Sequence, residues 1–331
     1  MDSPVNENNK DSQKVNIPWI IRFTPTTVEK LAINRNIKTS LQTMVDNREP
    51  RNLIFCGPSG VAKTTAVKCL IKEIYRKNKE GVLFINSSDD RGIKIVQDTI
   101  VSFCKKKTKL GKAKYKLVVL DEADSMTSNT QLLINNLIEI YKKNTRFIFT
   151  CNDYTKIIEA IQSRCDIVRF SFLREDQIVK CLTDITKSLQ INASTKALKA
   201  IHAVTQGDIR VAINTLQLVY SNCKDTQITE KKVFNMVNKP QPQEMKELLL
   251  LCYKQDLMNS INKIDYFRNQ GYAPSDIILS MMYTIRNYIN NEINEDTKMK
   301  FLKNISETCM IVSRGVATEL QLTACVCRLN L

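Results

Sequence analysis

The sequence has a single histidine, His202, and no Cys-X-X-Cys pair among its eleven cysteines; the two nearest are Cys325 and Cys327. A structural zinc site needs four close-set Cys or His ligands, so none is expected, and one histidine leaves no room for a His-based catalytic dyad. An odd number of scattered cysteines in a chain of 331 residues argues against a disulfide framework. They are expected to be reduced, mostly core thiols of an intracellular protein. No apolar run approaches the roughly 18–20 residues of a membrane-spanning helix. The first sixteen residues are polar and lack the apolar segment of a secretory signal. No membrane partner is expected, and residues 1–16 read as a mobile tail.

Acidic residues are also in deficit: Lys and Arg total 49 against 34 Asp and Glu, a net charge of +15. The excess is confined to one part. From Pro240 onward there are ten basic and ten acidic residues, whereas residues 1–239 hold 39 and 24. A basic excess restricted to one region suggests a polyanion partner there, such as nucleic acid; a lysine-rich solvated surface is the plainer reading. Hydrophobic residues at 43% and charged residues at 25% are ordinary for a globular chain long enough for two or three domains.

Short apolar runs alternate with helical periodicity through the first half. Residues 51–56 (RNLIFC), 81–86 (GVLFIN), 116–124 (KLVVLDEAD) and 146–152 (RFIFTCN) read as strands, and 167–172 adds a last strand signal. Between them lie helical stretches, including one with Ile93, Val96, Ile100 and Phe103 on one side. Such alternation implies right-handed crossovers and a parallel sheet, and unalternating apolar strands imply helices on both faces. Residues 174–238 read as several short helices, 239–243 (KPQPQ) as a linker, and the remainder as helical. The expected organisation is a tail over 1–16, an α/β domain over 17–172, a helical domain over 173–238 and a C-terminal helical domain over 239–331.

The first strand leads through Gly57, Pro58, Ser59, Gly60, Val61, Ala62, Lys63, Thr64 and Thr65 into a helix. Strand, glycine-bearing loop and helix form a phosphate-binding arrangement, in which loop amides and the helix amino end hold phosphates, Lys63 reaches the terminal phosphates and the Thr64 hydroxyl meets Mg²⁺. The usual G-x-x-x-x-G-K-[ST] pattern has glycine where Ala62 stands, a substitution that costs about 1 kcal/mol or more if the position has positive φ. The variant resembles the G-x-P-G-x-A-K-S loop of minichromosome-maintenance helicases. About sixty residues on, Asp121 and Glu122 end an apolar strand, where Asp121 can orient the metal shell and Glu122 can polarise a water. Asn152 ends the next strand and can hold that water or the γ-phosphate; a turn-forming Asn is the plainer role.

Together with 86–93 (NSSDDRGI), 120–127 (LDEADSMT), 140–147 (IYKKNTRF), 156–165 (KIIEAIQSRC), 207–214 (GDIRVAIN) and 271–278 (GYAPSDII), these residues resemble the small subunits of replication factor C, the sliding-clamp loader of the AAA+ ATPases, over nearly the whole chain. The resemblance implies an AAA+ P-loop domain of parallel sheet and flanking helices, a helical lid and an all-α collar that holds subunits together. It implies ATP and Mg²⁺ as ligands, with Glu122, Asn152 and Arg210 acting at the chain's own site and Arg164 reaching the neighbouring subunit's site as an arginine finger. The segment 18–25 (PWIIRFTP) corresponds to the family's adenine-side segment, which assigns Ile20, Phe23 and Pro25 to the base. Arg91 and Lys94 are assigned to DNA phosphates. Lys105, Lys106, Lys107 and Lys109 face DNA or the clamp, or simply solvent, and Phe103 belongs to the clamp face or to the core. The implied partners are the other subunits of a pentamer, a PCNA-type sliding clamp and primer–template DNA gripped through its backbone. A non-hydrolysing scaffold subunit and a different AAA+ machine, such as a branch-migration helicase, are the competing readings.

Overall fold

The computed structural model describes residues 17–331 except 77, 88–92, 109, 112, 224, 225, 290, 291 and 317. The expected tail over 1–16 and the DNA assignment of Arg91 lie outside the described residues, as does Lys109. Lys94 lies within a helix, but its side chain is outside the description.

Five strands form one parallel sheet in the order β2-β3-β4-β1-β5: β1 Leu53–Cys56, β2 Val82–Asn86, β3 Lys116–Asp121, β4 Thr145–Cys151 and β5 Asp166–Arg169. The expected last strand stops at Arg169, short of Phe172. The unbroken apolar character of the central strands has a direct cause. Alternate residues enter two different cores: Leu53, Phe55, Leu117, Val119 and Ile148 on one face, and Ile54, Cys56, Val118, Leu120, Phe147 and Phe149 on the other. The edge strand β5 is the exception, since three of its four residues are exposed.

Each face is covered by helices, all but one of which connect strands. On the first face lie α2 (Arg35–Asn47), which supplies Leu41 and Met44, and α3 (Lys63–Tyr75), which supplies Ala66, Val67, Leu70 and Ile74. On the second lie α4 (Ile93–Lys105), with Ile100 and Cys104, and α5 (Ser128–Tyr141), with Ile134, Leu137 and Ile138. Two further helices are short: α6 (Glu159–Gln162), which adds Ile161 to the second core, and α1 (Trp19–Arg22), whose Trp19 N donates to Gln217 Oε1 at 2.9 Å. Polar caps set the helix starts. The Asn34 side chain accepts from Asn36 N before α2, and Thr127 accepts from Thr130 N before α5.

The rest of the chain is helical: α7 Glu175–Ser188, α8 Thr195–Thr205, α9 Ile209–Asn222, α10 Glu230–Val237, α11 Pro242–Tyr253, α12 Leu257–Asn269, α13 Pro274–Asn287, α14 Glu295–Ser313 and α15 Glu319–Leu329. Pro242, read as part of a linker, instead opens α11 as its first residue, where a missing N–H costs nothing. The chain divides into two compact units. One contains the sheet and runs through Ile191 with Ile201–Gln217; the other comprises Asn192–Ala200 and Leu218–Leu331. In the second unit α11–α15 share a core of Met245, Leu248, Phe267, Met281, Ile305 and Leu322, among others. Among the described residues no helix is long and apolar enough to cross a membrane.

Candidate nucleotide site

The sequence-predicted loop joins β1 to α3 at the carboxyl end of the sheet. Its backbone is unusual at three positions: Gly57 has φ +149°, Gly60 has φ +73°, and Ala62 stands in the left-handed region at φ 69°, ψ 26°. The two glycines are required by close approach. A Cβ at Gly57 would lie 2.2 Å from the Phe170 carbonyl oxygen, and one at Gly60 would lie 2.1 Å from the Asp208 carboxylate. Ala62 meets only the torsional cost, about 1–2 kcal/mol for an L-residue. A core built from dozens of buried side chains, each contributing about 1.5–3 kcal/mol, absorbs it. The loop therefore keeps the shape that a glycine at this position provides. Unlike α2 and α5, α3 starts without any side-chain cap, so its first amides are left for an anion.

The loop lysine is held in place by its own loop. Lys63 Nζ donates to Gly57 O at 2.6 Å, Pro58 O at 2.7 Å and Asn152 Oδ1 at 2.9 Å, which uses all three ammonium protons. Burial pulls its pKa below the ordinary lysine value. Nearby, Thr64 Oγ1 donates to Asp121 Oδ1 at 2.9 Å, and the Thr150 hydroxyl donates to the same oxygen. Thr150 Oγ1 also accepts from Glu122 N at 3.1 Å. The sheet order explains this convergence. β4 lies between β3 and β1, so its Thr150 turns to the acids of β3 while Asn152, just past its end, meets the lysine that follows β1. Asn152 is further fixed by its amide, which donates to Asp124 Oδ2 at 3.0 Å.

Glu122 is exposed and adopts φ 56°, ψ 44°, a left-handed conformation that turns the chain sharply after β3. Arg210 comes from α9. Asp208 Oδ1 accepts from Arg210 N at 2.8 Å and Val211 N at 3.0 Å, capping that helix. Arg210, Lys63, Thr64, Asp121, Glu122 and Asn152 line one polar cavity with Ser59, Gly60, Ala62 and Thr65. A second, more apolar cavity of about 170 Å³ adjoins it through Gly60, Ala62, Thr65 and Arg210. Its walls are Ile20, Phe23 and Pro25, the residues assigned to the base, together with Leu31, Cys181, Ile209 and Ile213. Burial pushes the Cys181 thiol up to about 11. Val61 differs from the other loop residues: its side chain is 1% exposed and packs in the core, so only its backbone can face a ligand.

Arg164 is elsewhere. Its guanidinium donates to Glu139 Oε1 at 2.8 Å and Ala160 O at 2.8 Å. The residue precedes β5, where Asn52 ties the amino ends of three strands: Nδ2 donates to Arg164 O, Oδ1 accepts from Phe147 N, and O accepts from Asp166 N. The loop lies at the other end of β1. Four residues of strand separate the two edges, about 13 Å at 3.3 Å per residue.

Thr150, Asp124, Cys181, Ile209 and Ile213 were not anticipated as site residues. The signal for Thr150 was a lone hydroxyl inside the apolar run 146–152, and that for Asp124 was its place in the acidic run 121–124; Cys181, Ile209 and Ile213 reach the loop only because tertiary packing brings α7 and α9 to it. The oxygen donors Thr64 and Asp121 suit a hard cation such as Mg²⁺, and the lysine with an uncapped helix start suits phosphates.

A parallel sheet carrying this loop, the paired acids of β3 and an arginine from the following helical segment define a P-loop nucleotide-binding protein of the AAA+ class. The Thermotoga maritima RuvB Holliday junction branch migration motor shares the fold, with a TM-score of 0.55 at 14% identity over 69% of this chain and 78% of that one. Family models match at residues 10–196 (Rad17 P-loop domain) and 240–328 (Replication factor C C-terminal domain). The chain is 35% identical to a putative replication factor C small subunit, R395, of Acanthamoeba polyphaga mimivirus, over 95% of this chain and 96% of the relative. It is 33% identical to replication factor C subunit 4 of Schizosaccharomyces pombe (95% and 91% covered) and 33% identical to the replication factor C small subunit of Sulfurisphaera tokodaii (95% and 95%). The chain belongs to the replication factor C small-subunit family.

Proposed function

We propose that the chain is an ATP-hydrolysing subunit of a clamp loader, which uses ATP binding to open a PCNA-type ring and place it on primer–template DNA. The observation that carries this reading is a division of labour across the sheet. Lys63, Thr64, Asp121, Glu122, Asn152 and Arg210 line one cavity at the carboxyl edge, while Arg164 stands at the amino edge, out of reach of that cavity. A chain that carries a complete cradle at one edge and an arginine at the other is suited to a ring or spiral in which each site is finished by a neighbour.

In this reading the loop from Gly57 to Thr65 holds the triphosphate, and Ile20, Phe23 and Pro25 pack against the base. Lys63 exchanges its loop carbonyls for phosphate oxygens. Thr64 and Asp121 hold Mg²⁺, which supplies charge neutralisation at the phosphates when bound. Glu122 takes the proton of the attacking water, and Asn152 orients that water. Arg210 neutralises charge on the terminal phosphate and reports its loss to α9, whose start is pinned by Asp208. Arg164 leaves Glu139 for the neighbour's phosphates. An arginine finger contributes roughly 10³–10⁵ in rate. Arg91 and Lys94 contribute to the grip on DNA phosphates, and hydrolysis weakens the grip and releases the closed clamp.

Residues 17–172 serve as the AAA+ domain, 173–238 as the lid and 239–331 as the collar of a five-subunit assembly. In this role the protein acts with replicating DNA, in a nucleus or at a viral replication site in cytoplasm. The scaffold reading rested on Ala62, and a left-handed Ala62 that preserves the loop's shape weighs against it.

The test is made in the assembled complex. Arg164→Ala should leave ATP binding at the chain's own site within about twofold and slow hydrolysis at the adjacent site by roughly 10³-fold or more. Loss of binding at its own site, or unchanged turnover, would refute the assignment.

A further inference from the structure

One wall of the apolar cavity beside the loop is held from two sides. Its residues Ile20, Phe23 and Pro25 belong to the stretch 19–25, which begins with the single turn of α1. One helical turn does not stand by itself in water, and its N-cap, Pro18, has no side-chain acceptor to offer. The anchors come from elsewhere in the chain. At the far end the Cys69 thiol of α3 donates to Pro25 O at 3.2 Å, and Val28 N, three residues on, donates to Glu73 Oε2 of the same helix at 2.8 Å. α3 is the helix that starts with Lys63 and Thr64. At the near end, Trp19 N is one of the amides that a helix start leaves without a backbone partner, and it donates to Gln217 Oε1 of α9 at 2.9 Å. The stretch thus runs from the helix that carries Arg210 to the helix that carries the loop lysine.

The place of Gln217 on α9 is the second observation. Arg210, Ile213 and Gln217 stand at i, i+3 and i+7, so they share one face of the helix. Arg210 lines the polar cavity and, with Ile213, the apolar one. Gln217 follows about 10 Å along the axis from Arg210, at 1.5 Å per residue. One helical stripe therefore meets the polar cavity, the apolar cavity and the start of α1 in succession. α1 is seated by its first residue. Trp19 is 8% exposed, with its ring edge-on to Phe23 at 6.3 Å between centroids, whereas Ile21 is 64% exposed.

We propose that Gln217 is a positioning residue for the purine base: by holding the first amide of α1, it sets Ile20 and Phe23 against the base and fixes that wall relative to Arg210. The proposal rests on the reading that the apolar cavity takes the base of ATP. Gln217 itself touches no part of the nucleotide. Its loss is felt by the part of the ligand in the apolar cavity and not by the phosphates, which meet the loop and Lys63. Leucine at 217 fills similar space but strands the Trp19 amide, whereas glutamate keeps an accepting oxygen and a charge that suits a helix start.

The experiment uses the full-length chain with Mg²⁺ and two probes, ATP and inorganic tripolyphosphate, which has the phosphates and no base. In Gln217→Leu, affinity for ATP by calorimetry should fall about tenfold, the worth of one hydrogen bond, while affinity for tripolyphosphate stays within about twofold. Gln217→Glu should bring ATP affinity back to within about threefold of wild type. Unchanged ATP affinity in Gln217→Leu, a parallel fall for both probes, or no recovery in Gln217→Glu overturns the proposal. The wild-type chain supplies a measurement free of any folding defect. ATP should slow hydrogen exchange of the amides of residues 19–23 about tenfold and tripolyphosphate should not; equal protection by both, or none by ATP, overturns the proposal. If the wild-type chain binds ATP no more tightly than tripolyphosphate, the base reading itself fails, and the role of Gln217 in it falls too. Trp19, the one tryptophan of the chain, tells the two failures apart. A red shift of its emission in Gln217→Leu but not in Gln217→Glu shows that the tether holds α1, and an unshifted emission shows that it does not.

Discussion

Replacing Ala62 by glycine restores the usual residue of a phosphate loop, and the structure sets the size and direction of the effect. Ala62 is held at φ 69°, ψ 26°, where an L-residue costs about 1–2 kcal/mol relative to glycine. Glycine gains about 0.4–1 kcal/mol of extra freedom in the unfolded chain, which opposes the relief. The net expectation for Ala62→Gly is a gain of about 0.5–1 kcal/mol in the unit that contains the sheet. That corresponds to about 1–4 °C in its melting temperature. Urea unfolding without nucleotide, read on the transition of that unit at unchanged slope, measures it. ATP affinity by calorimetry should stay within about twofold, because the loop already has the conformation that glycine allows. Gly57→Ala and Gly60→Ala are the contrasting controls. Their methyls would meet the Phe170 carbonyl oxygen at 2.2 Å and the Asp208 carboxylate at 2.1 Å, so both should lose stability and nucleotide binding. A less stable Ala62→Gly would show that Ala62 is not strained. A tenfold gain in affinity would show that its methyl obstructs the cradle, and the scaffold reading would return.

Other outcomes follow from the same geometry. Lys63→Ala should abolish measurable ATP binding, whereas Glu122→Gln should retain it and lower turnover at least 100-fold; equal binding defects in both would remove Glu122 from its role as base. Thr150→Val keeps the shape of the side chain but strips Asp121 and Glu122 N of a shared hydroxyl; the Mg²⁺ concentration for half-maximal turnover should rise about tenfold, and an unchanged Mg²⁺ dependence would dismiss Thr150. Alkaline stability carries a sign. Burial raises Cys69, Cys181 and Cys252 to about 11 and Cys151 and Cys165 to about 12, above the ordinary value near 9. These thiols stay protonated in the native chain while the unfolded chain ionises, so their contribution is intact below about pH 9 and is lost as pH rises through 11–12. The urea midpoint should fall between pH 8 and pH 10.5 under reducing conditions, and a flat profile would contradict the burial of these groups.

What could be read along the chain was whatever depends on neighbours in sequence. The loop from Gly57 to Thr65, the apolar strands and the acids Asp121 and Glu122 are local signals. A phosphate loop needs its glycines and lysine at set spacing, and a strand buried on both faces must be apolar throughout. The charge split between residues 1–239 and the rest was equally visible. The parallel sheet and its helical layers follow from these signals by connection rules. The strand order was settled in space alone: it put β4 between β3 and β1, which made Thr150 a partner of Asp121 and Asn152 a partner of Lys63. Packing likewise brought Cys181, Ile209 and Ile213 to the apolar cavity beside the loop and turned the Val61 side chain into the core. The two arginines were told apart by their motifs, 207–214 and 156–165, but packing sets where they stand: Arg210 lines the cavity with Lys63, and Arg164 lies at the opposite edge of the sheet. The physical reason is range. Backbone torsions, periodicity and capping act within a few residues, and these the sequence determines by itself. Which side chains share a cavity depends on contacts between segments up to about 190 residues apart, and only the packed tertiary structure decides those.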